Sequence, residues 1–520
     1  MGTAGQMLET TPVLIGAGQF THRGDAASAP TPLQLIKIAA NAAARDAGLT
    51  PEALAGLDAV GVVAFAIDSD GSRQRELVPS LLNPPKSLAK AYGATPRWSV
   101  YTETGGNSSQ HLINVMCQRI AAGESDFGLA VGGEFLGSLM KRLRGGLSLE
   151  GFGDNEDEPP MRIGDARAGV TPQEDDHGLG LPVNTYPLFE NALRARDGLS
   201  LEAHRHRMGD LFAPFTEVAA ANPYAWFPIA RSSEELSTVT ADNRMVSFPY
   251  PKYLNAIIQV DQSAGVLLTS VRKARELGIP PEKWVFPHGC ADATDLWFPL
   301  DRQDFHSSPA MRLTGQRALE MAGIGLADID FFDLYSCFPS AVAIGAEELG
   351  LALDDPRGFT VTGGLPYFGG PGNNYSMHGV VTMVEKLRAR PGSYGLCTAN
   401  GWFLTKQSTG IYSTTPFEGE WARQDPKVIQ DQIDAVPHPE VIERPEGRAR
   451  IETYTVVHSR VGYRMGIVIG RDEAGRRFVA NTPADEATLM DLERVEGVGR
   501  TGHVRLTDDG RHNLFTPDAS

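Results

Sequence analysis

One stretch, residues 101–134 (YTETGGNSSQHLINVMCQRIAAGESDFGLAVGGE), constrains this 520-residue chain more than any other. An extended lead-in from Trp98 runs into Gly105-Gly106, and Ser108 or Ser109 stands where a hydroxyl caps a helix. Leu112, Val115, Met116 and Ile120 recur at helical spacing, with Ile113 and Cys117 filling a second stripe. A helix apolar around so much of its circumference belongs between layers rather than on a surface. Gly123 punctuates its end, and residues 127–131 read as a buried strand ahead of Gly132-Gly133-Glu134.

The same alternation recurs along the chain. Residues 11–17 and 57–66 read as strands, and 33–47 and 86–92 as helices. Beyond residue 284, helices at 308–321 and 341–349 bracket a short strand at 331–334. A glycine-rich stretch at 360–372 then enters a buried helix at 377–387 and a strand at 393–397. Two halves, each with a glycine-rich turn feeding a buried helix and then a strand, predict a duplicated, layered, mostly parallel α/β architecture. Residues 137–240 interrupt this pattern as a surface excursion, and the acidic run 154–160 (DNEDEPP) reads as a solvated charge run rather than a metal site. A linker rich in Pro, Asp and Gln spans 417–447. Residues 448–515 then show several short strands and no long helix, the pattern of a small β-barrel.

The formal net charge of −17 opposes a nucleic-acid binder or a protein held to anionic lipid by general charge. Lys252, Arg272 and Lys273 remain available for a phosphorylated ligand. The four cysteines, Cys117, Cys290, Cys337 and Cys397, are scattered without CxxC or Cys/His metal spacing, so neither a disulfide framework nor a metal is expected. With no apolar run of about 18 residues and no charged, apolar leader, the expectation is a cytoplasmic protein that makes no use of a membrane.

The strand–turn–helix–strand unit ending in Gly132-Gly133-Glu134 resembles the nucleophile segment of the thiolase superfamily, N-x-x-C-x-S-G followed by a long helix and A-G-G-x-E. Gly105, or Gly106 if the turn is shifted by one, stands where that family has its cysteine. Three further motifs match with substitutions. Tyr335-Ser336-Cys337-Phe338 resembles N-E-A-F or H-D-C-F, and residues 369–376 resemble G-H-P-x-G-A-T-G with Gly370 in the histidine's place. Cys397-Thr398-Ala399-Asn400-Gly401 resembles C-x-G-G-G. Residues 222–228 resemble a turn of the family's inserted loop domain. Arg244 through Ala264 resembles its return to the core, and residues 448–520 resemble the OB-like domain appended to or partnered with some members.

The resemblance implies a duplicated five-layer thiolase fold. Its first half is residues 1–136 and 241–283, with an inserted loop domain at 137–240. The second half is 284–416, followed by a linker at 417–447 and an OB-like domain at 448–520. It also implies an acetyl-CoA acetyltransferase-like acyltransferase of lipid metabolism, with coenzyme A as substrate or co-substrate, acting on a 3-ketoacyl chain without the usual nucleophile. Cys397, His378 and Tyr335 are then the groups that exchange protons or hold an oxyanion. Gly105, Gly106, Asn107, Asn374, Tyr375, Ala399 and Asn400 are the expected ligand contacts, and Asn373 lies on the same loop. Two alternatives stay open: a retro-aldolase acting on a β-hydroxyacyl-CoA, which needs no acyl-enzyme, and a non-catalytic acyl-CoA binder. A homodimer is expected by analogy with the superfamily.

Overall fold

The computed structural model describes residues 7–69 and 78–519. The first half is a six-stranded sheet in the order Pro12–Thr21, Gln262–Ser270, Phe127–Glu134, Ala59–Val62, Trp98–Thr102, Met161–Ile163. From Phe127–Glu134 outward the strands run parallel, while Gln262–Ser270 is antiparallel to both of its neighbours. The second half is a four-stranded sheet, Ile329–Asp333, Tyr394–Gly401, Lys406–Ser413 and Phe286–Thr294. Two helices, Ser108–Ala121 and Tyr375–Ala389, lie between the sheets. Leu112, Met116, Met377 and Val381 share one core with Leu14 and Val266 of the first sheet and with Cys290 and Tyr412 of the second. That double burial explains why both helices read as apolar on more than one face. The helix Pro32–Asp46 covers the outside of the first sheet, and Pro309–Ala322 with Pro339–Leu349 the outside of the second, which completes five layers.

The C-terminal strands Gly447–Ser459, Gly462–Asp472, Arg477–Asn481, Thr501–Leu506 and Asn513–Pro517 close into a five-stranded barrel, because the first pairs with both the second and the fourth. The barrel is bound to the insertion and not hung from the chain end. Met245–Ser247 adds to its sheet through Ser247 opposite Val457. From the insertion's helix Pro182–Arg196, Asn191 donates to the Tyr454 carbonyl at 2.9 Å, and the Leu188 carbonyl accepts from Thr453 at 2.6 Å. Arg477, fully buried, bridges Glu452 and donates to the carbonyls of Leu300 at 2.9 Å and Gln303 at 3.2 Å. One apolar cluster runs from Phe338 and Tyr186 to Ile467 and Val479 of the barrel.

Four details depart from the sequence reading. Neither Ser108 nor Ser109 caps its helix: their hydroxyls donate to the carbonyls of Glu103 (2.7 Å) and Asn373 (3.0 Å) and tie the helix start to the two loops beside it. The span read as linker holds the helix Lys427–Asp434, because Ile429 and Ile433, four apart, bury against Ala293 and Ala310. The barrel region holds the helix Glu486–Arg494, capped by Asp485 and burying Leu489 and Leu492. Finally, the residues after Arg244 join the barrel sheet first, and the core strand begins only at Gln262.

Candidate active site

The N-terminal ends of both central helices open on one cavity of about 420 Å³. Its wall carries Gly105 and Gly106 before the first helix, and Gly370, Gly372 and Asn373 before the second. Tyr335, Cys337 and Phe338 follow the strand Ile329–Asp333, Asn400 lies near the end of Tyr394–Gly401, and Trp402 follows it. The insertion adds Leu181, Pro182, Val183 and Tyr186. The lining is mostly apolar with a few convergent polar groups, as small-molecule sites commonly are. At its rim Leu181 and Ile258 remain about half exposed, at 55% and 48%.

The two glycines of the turn face different neighbours. A Cβ on Gly105 would meet the Asn107 side-chain oxygen and the Lys406 methylenes, and its φ of 154° disfavours a side chain. A Cβ on Gly106 would collide with the Tyr335 hydroxyl and the Asn400 carbonyl. Gly106 is thus the position whose missing side chain leaves room for the Tyr335 phenol. The Gly105 N–H donates to the Asn373 side chain at 2.9 Å, whereas those of Gly106 and Asn107 meet no acceptor among the described residues. Both are free donors of a helix N-terminus, where partial positive charge gathers, and of the two Gly106 lines the cavity.

Tyr335 is held by its amide, which donates to Thr398 Oγ1 at 2.9 Å, and by the edge of Tyr375, 5.5 Å away at 87°. Burial pushes its phenol well above the ordinary value, so at neutral pH it is a hydrogen-bond donor and not a phenolate base. Burial likewise pushes the Cys337 thiol up to about 12. The one thiol on the cavity wall among the described residues is therefore no ready nucleophile. Opposite, Tyr186 stacks on Phe338 at 4.5 Å, donates to the Trp402 carbonyl at 2.9 Å and accepts from the Asn400 side chain at 2.8 Å. Trp402 and Leu404 hold φ of 55° and 58°, strained for bulky residues, in the turn that follows the motif ending at Gly401.

Of the residues singled out from the sequence as catalytic groups or ligand contacts, Gly105, Gly106, Tyr335, Asn373 and Asn400 line this cavity, and Cys397, His378, Asn374, Tyr375, Ala399 and Asn107 do not. Cys397 is buried in the core between the sheets, and desolvation, followed by the nearby Asp333 carboxylate, raises its thiol far above the usual range. His378 is fully buried, its Nδ1 2.9 Å from Gln19 Oε1 and its ring 5.1 Å from Phe368. Burial lowers its pKa to about 3, so it is neutral. Asn374 reaches Ser109 at 3.3 Å and the Ala264 carbonyl at 3.4 Å, Tyr375 reaches Thr362 at 2.7 Å, and Ala399 is fully buried. Asn107 faces a second cavity, which it lines with His111 and Lys406. Behind Gly372 the buried Glu134 accepts from the amides of Ala66 (3.0 Å) and Phe135 (2.9 Å), and desolvation raises it to about 7.

Sequence reasoning passed over Tyr186, Cys337, Trp402 and Lys406. Trp402 lies one residue beyond the motif match at 397–401, so the motif gave no signal for it. Tyr186 reaches the cavity only through the packing of the insertion, which no local pattern announces. Among the described residues no group of three or more His, Cys, Asp or Glu side chains is arranged to hold a metal, and no helix is long and apolar enough to cross a membrane.

Two sheets around a shared helix pair, with both glycine-rich turns opening on one cavity and a closed barrel behind the insertion, define a thiolase-like protein with an additional C-terminal domain. Family models agree: residues 292–414 match the thiolase C-terminal domain-like family, and 428–510 the thiolase-like protein type 1 additional C-terminal domain. The crystal structure of a monomeric SCP2-thiolase-like protein type 1 from Mycobacterium smegmatis superposes with a TM-score of 0.83 at 39% identity, over 98% of this chain and 99% of that one. The chain belongs to this family of SCP2-thiolase-like proteins of type 1. More distant structures share the fold. One is an Ltp2-ChsH2(DUF35) aldolase (TM-score 0.56, 19% identity, 78% of this chain and 98% of that one). Another is an acetyl-CoA acetyltransferase from Syntrophomonas wolfei (0.54, 16%, 78% and 99%). A 3-ketoacyl-CoA thiolase of Salmonella typhimurium is 30% identical over 160 residues, which is 28% of this chain and 35% of the relative's length.

Proposed function

We propose that the protein binds an acyl thioester of coenzyme A in this cavity. There it breaks or forms the carbon–carbon bond beside the thioester carbonyl through an enolate, without an acyl-enzyme. The observation that carries this reading is the exchange at the turn: Gly106 presents no side chain, and the Tyr335 phenol occupies the space that a nucleophile would need. The free N–H of Gly106 is suited to the thioester oxygen as it becomes negative, and Tyr335 is suited to donate to the same oxygen or to the α-carbon. The apolar rim at Leu181 and Ile258 suits the pantetheine arm and acyl chain. Proteins similar to this chain include both a 3-ketoacyl-CoA thiolase and an aldolase, so both reaction types occur on this fold.

Thiolytic acyl transfer fits this site less well, because it needs a thiolate: Cys337 is a neutral thiol and Cys397 does not reach the cavity. Aldol cleavage of a β-hydroxyacyl-CoA fits better, since it needs enolate stabilisation and proton transfer but no covalent intermediate. The test is to supply β-hydroxyacyl-CoA and, separately, 3-ketoacyl-CoA with free CoA, and to identify products by mass. Release of an aldehyde or ketone without added CoA is expected. Products formed only with free CoA would replace this reading by the thiolytic one, and binding without turnover would leave an acyl-CoA carrier.

A further inference from the structure

Lys406 opens the strand Lys406–Ser413 and is 4% exposed. Its ammonium donates to two backbone carbonyls, Thr104 at 2.7 Å and Asp165 at 2.6 Å, and among the described residues it forms no salt bridge. The carboxylates that face it act through space and are already engaged: Asp165 by Arg167 at 2.7 Å, and Glu103 by Arg162 at 3.1 Å. Arg167 faces it as well, and His111 with Asp292 lies across the cavity behind it. A buried cation satisfied by carbonyls keeps more of its field than one cancelled by a carboxylate. That field falls on the reaction turn, because Nζ lies 3.6 Å from the point where a Cβ on Gly105 would stand.

The contact to Thr104 also fixes geometry. A planar trans peptide points its N–H opposite its C=O. With the Thr104 carbonyl drawn to Lys406, the Gly105 N–H is turned to Asn373, 2.9 Å away. The turn is pinned from both sides, and the next N–H, that of Gly106, is left for a ligand. We propose that Lys406 is a positioning residue for the enolate chemistry: it pins the Thr104–Gly105 peptide and lends positive charge behind the Gly106 amide where the thioester oxygen turns negative. This inference rests on the acyl-CoA reading above.

The two roles separate with pH. Burial pulls the Lys406 ammonium down to about 8. Above that the neutral amine still has two N–H groups for its two carbonyls, so the geometry persists while the charge is lost. The experiment compares two thioethers by calorimetry: S-carboxymethyl-CoA, whose carboxylate stands for the enolate oxygen, and uncharged S-ethyl-CoA. Each is titrated near pH 7 and near pH 9.5 into wild-type protein, Lys406→Met and Lys406→Arg, with circular dichroism to check folding. Wild-type protein is expected to lose about tenfold in affinity for the anionic thioether alone on going to high pH. Lys406→Met should show that loss already near pH 7 and no further change, and Lys406→Arg should hold its preference at both. If Lys406→Met and wild type bind alike, or if Lys406→Met loses both thioethers equally, the lysine has no such role. Wild-type protein that binds neither thioether overturns the acyl-CoA reading and this inference with it.

Discussion

Gly106 and Tyr335 compete for the same volume, and that competition is measurable. Gly106→Cys, which would place a thiol at one of the two positions that could match the family's cysteine, is expected to destabilise the fold by about 1–3 kcal/mol through overpacking against the Tyr335 hydroxyl. Combined with Tyr335→Ala it should cost less than the two changes summed, because the second substitution vacates the space the first needs; denaturant titration of the four proteins reads the coupling. Glu134 supplies a pH test. Its folded pKa of about 7 lies above the ordinary 4.5, so between those values the folded state binds the extra proton and stability falls as pH rises. Glu134→Gln is expected to flatten that fall by about 3 kcal/mol across the window, read as the pH dependence of unfolding free energy relative to wild type. At this scale the sequence was only partly legible. The glycine substitutions were plain in the motifs, and Tyr335 could be aligned. Whether Cys397 or His378 reaches the cavity depends on which face of a buried strand or helix points inward, and motif spacing does not carry that information.

At the scale of elements, periodicity did most of the work. The central helix, the core strands and the second helix all lie within a few residues of their expected bounds, because double burial leaves long apolar signals. Short helices stabilised by one or two tertiary contacts were illegible. The helix Lys427–Asp434 forms because Ile429 and Ile433 find Ala293 and Ala310, not because its own sequence is strongly helical. Docking of the barrel was illegible for the same reason, since Arg477 is one arginine among many until the fold aligns the carbonyls of Leu300 and Gln303 around it. Arg477→Ala leaves those carbonyls and half of the Glu452 pairing unsatisfied in a buried place. The expected cost is about 3 kcal/mol in thermal or chemical denaturation, with the barrel's strands and the insertion loosening together in hydrogen exchange.

For the molecule as a whole, the apolar cluster shared by the second half, the insertion and the barrel predicts one cooperative unfolding transition in calorimetry, without a separate barrel melt. The outer edge of Trp98–Thr102 is paired by Met161–Ile163, which leaves a strand of only three residues as the edge of that sheet. So short an edge offers a second copy little to pair with, and sedimentation is expected to give a particle near 56.0 kDa and not twice that. The central claim is that carbon–carbon chemistry here runs through an enolate held at Gly106 and Tyr335 with no acyl-enzyme. It is tested most directly by exchange of the α-protons of an acyl-CoA in heavy water, followed by mass of both ligand and protein. The account predicts deuterium uptake at the α-carbon with unchanged protein mass, and uptake slowed about 10²-fold or more in Tyr335→Phe. An acyl adduct on the protein, or exchange that ignores Tyr335, would contradict it.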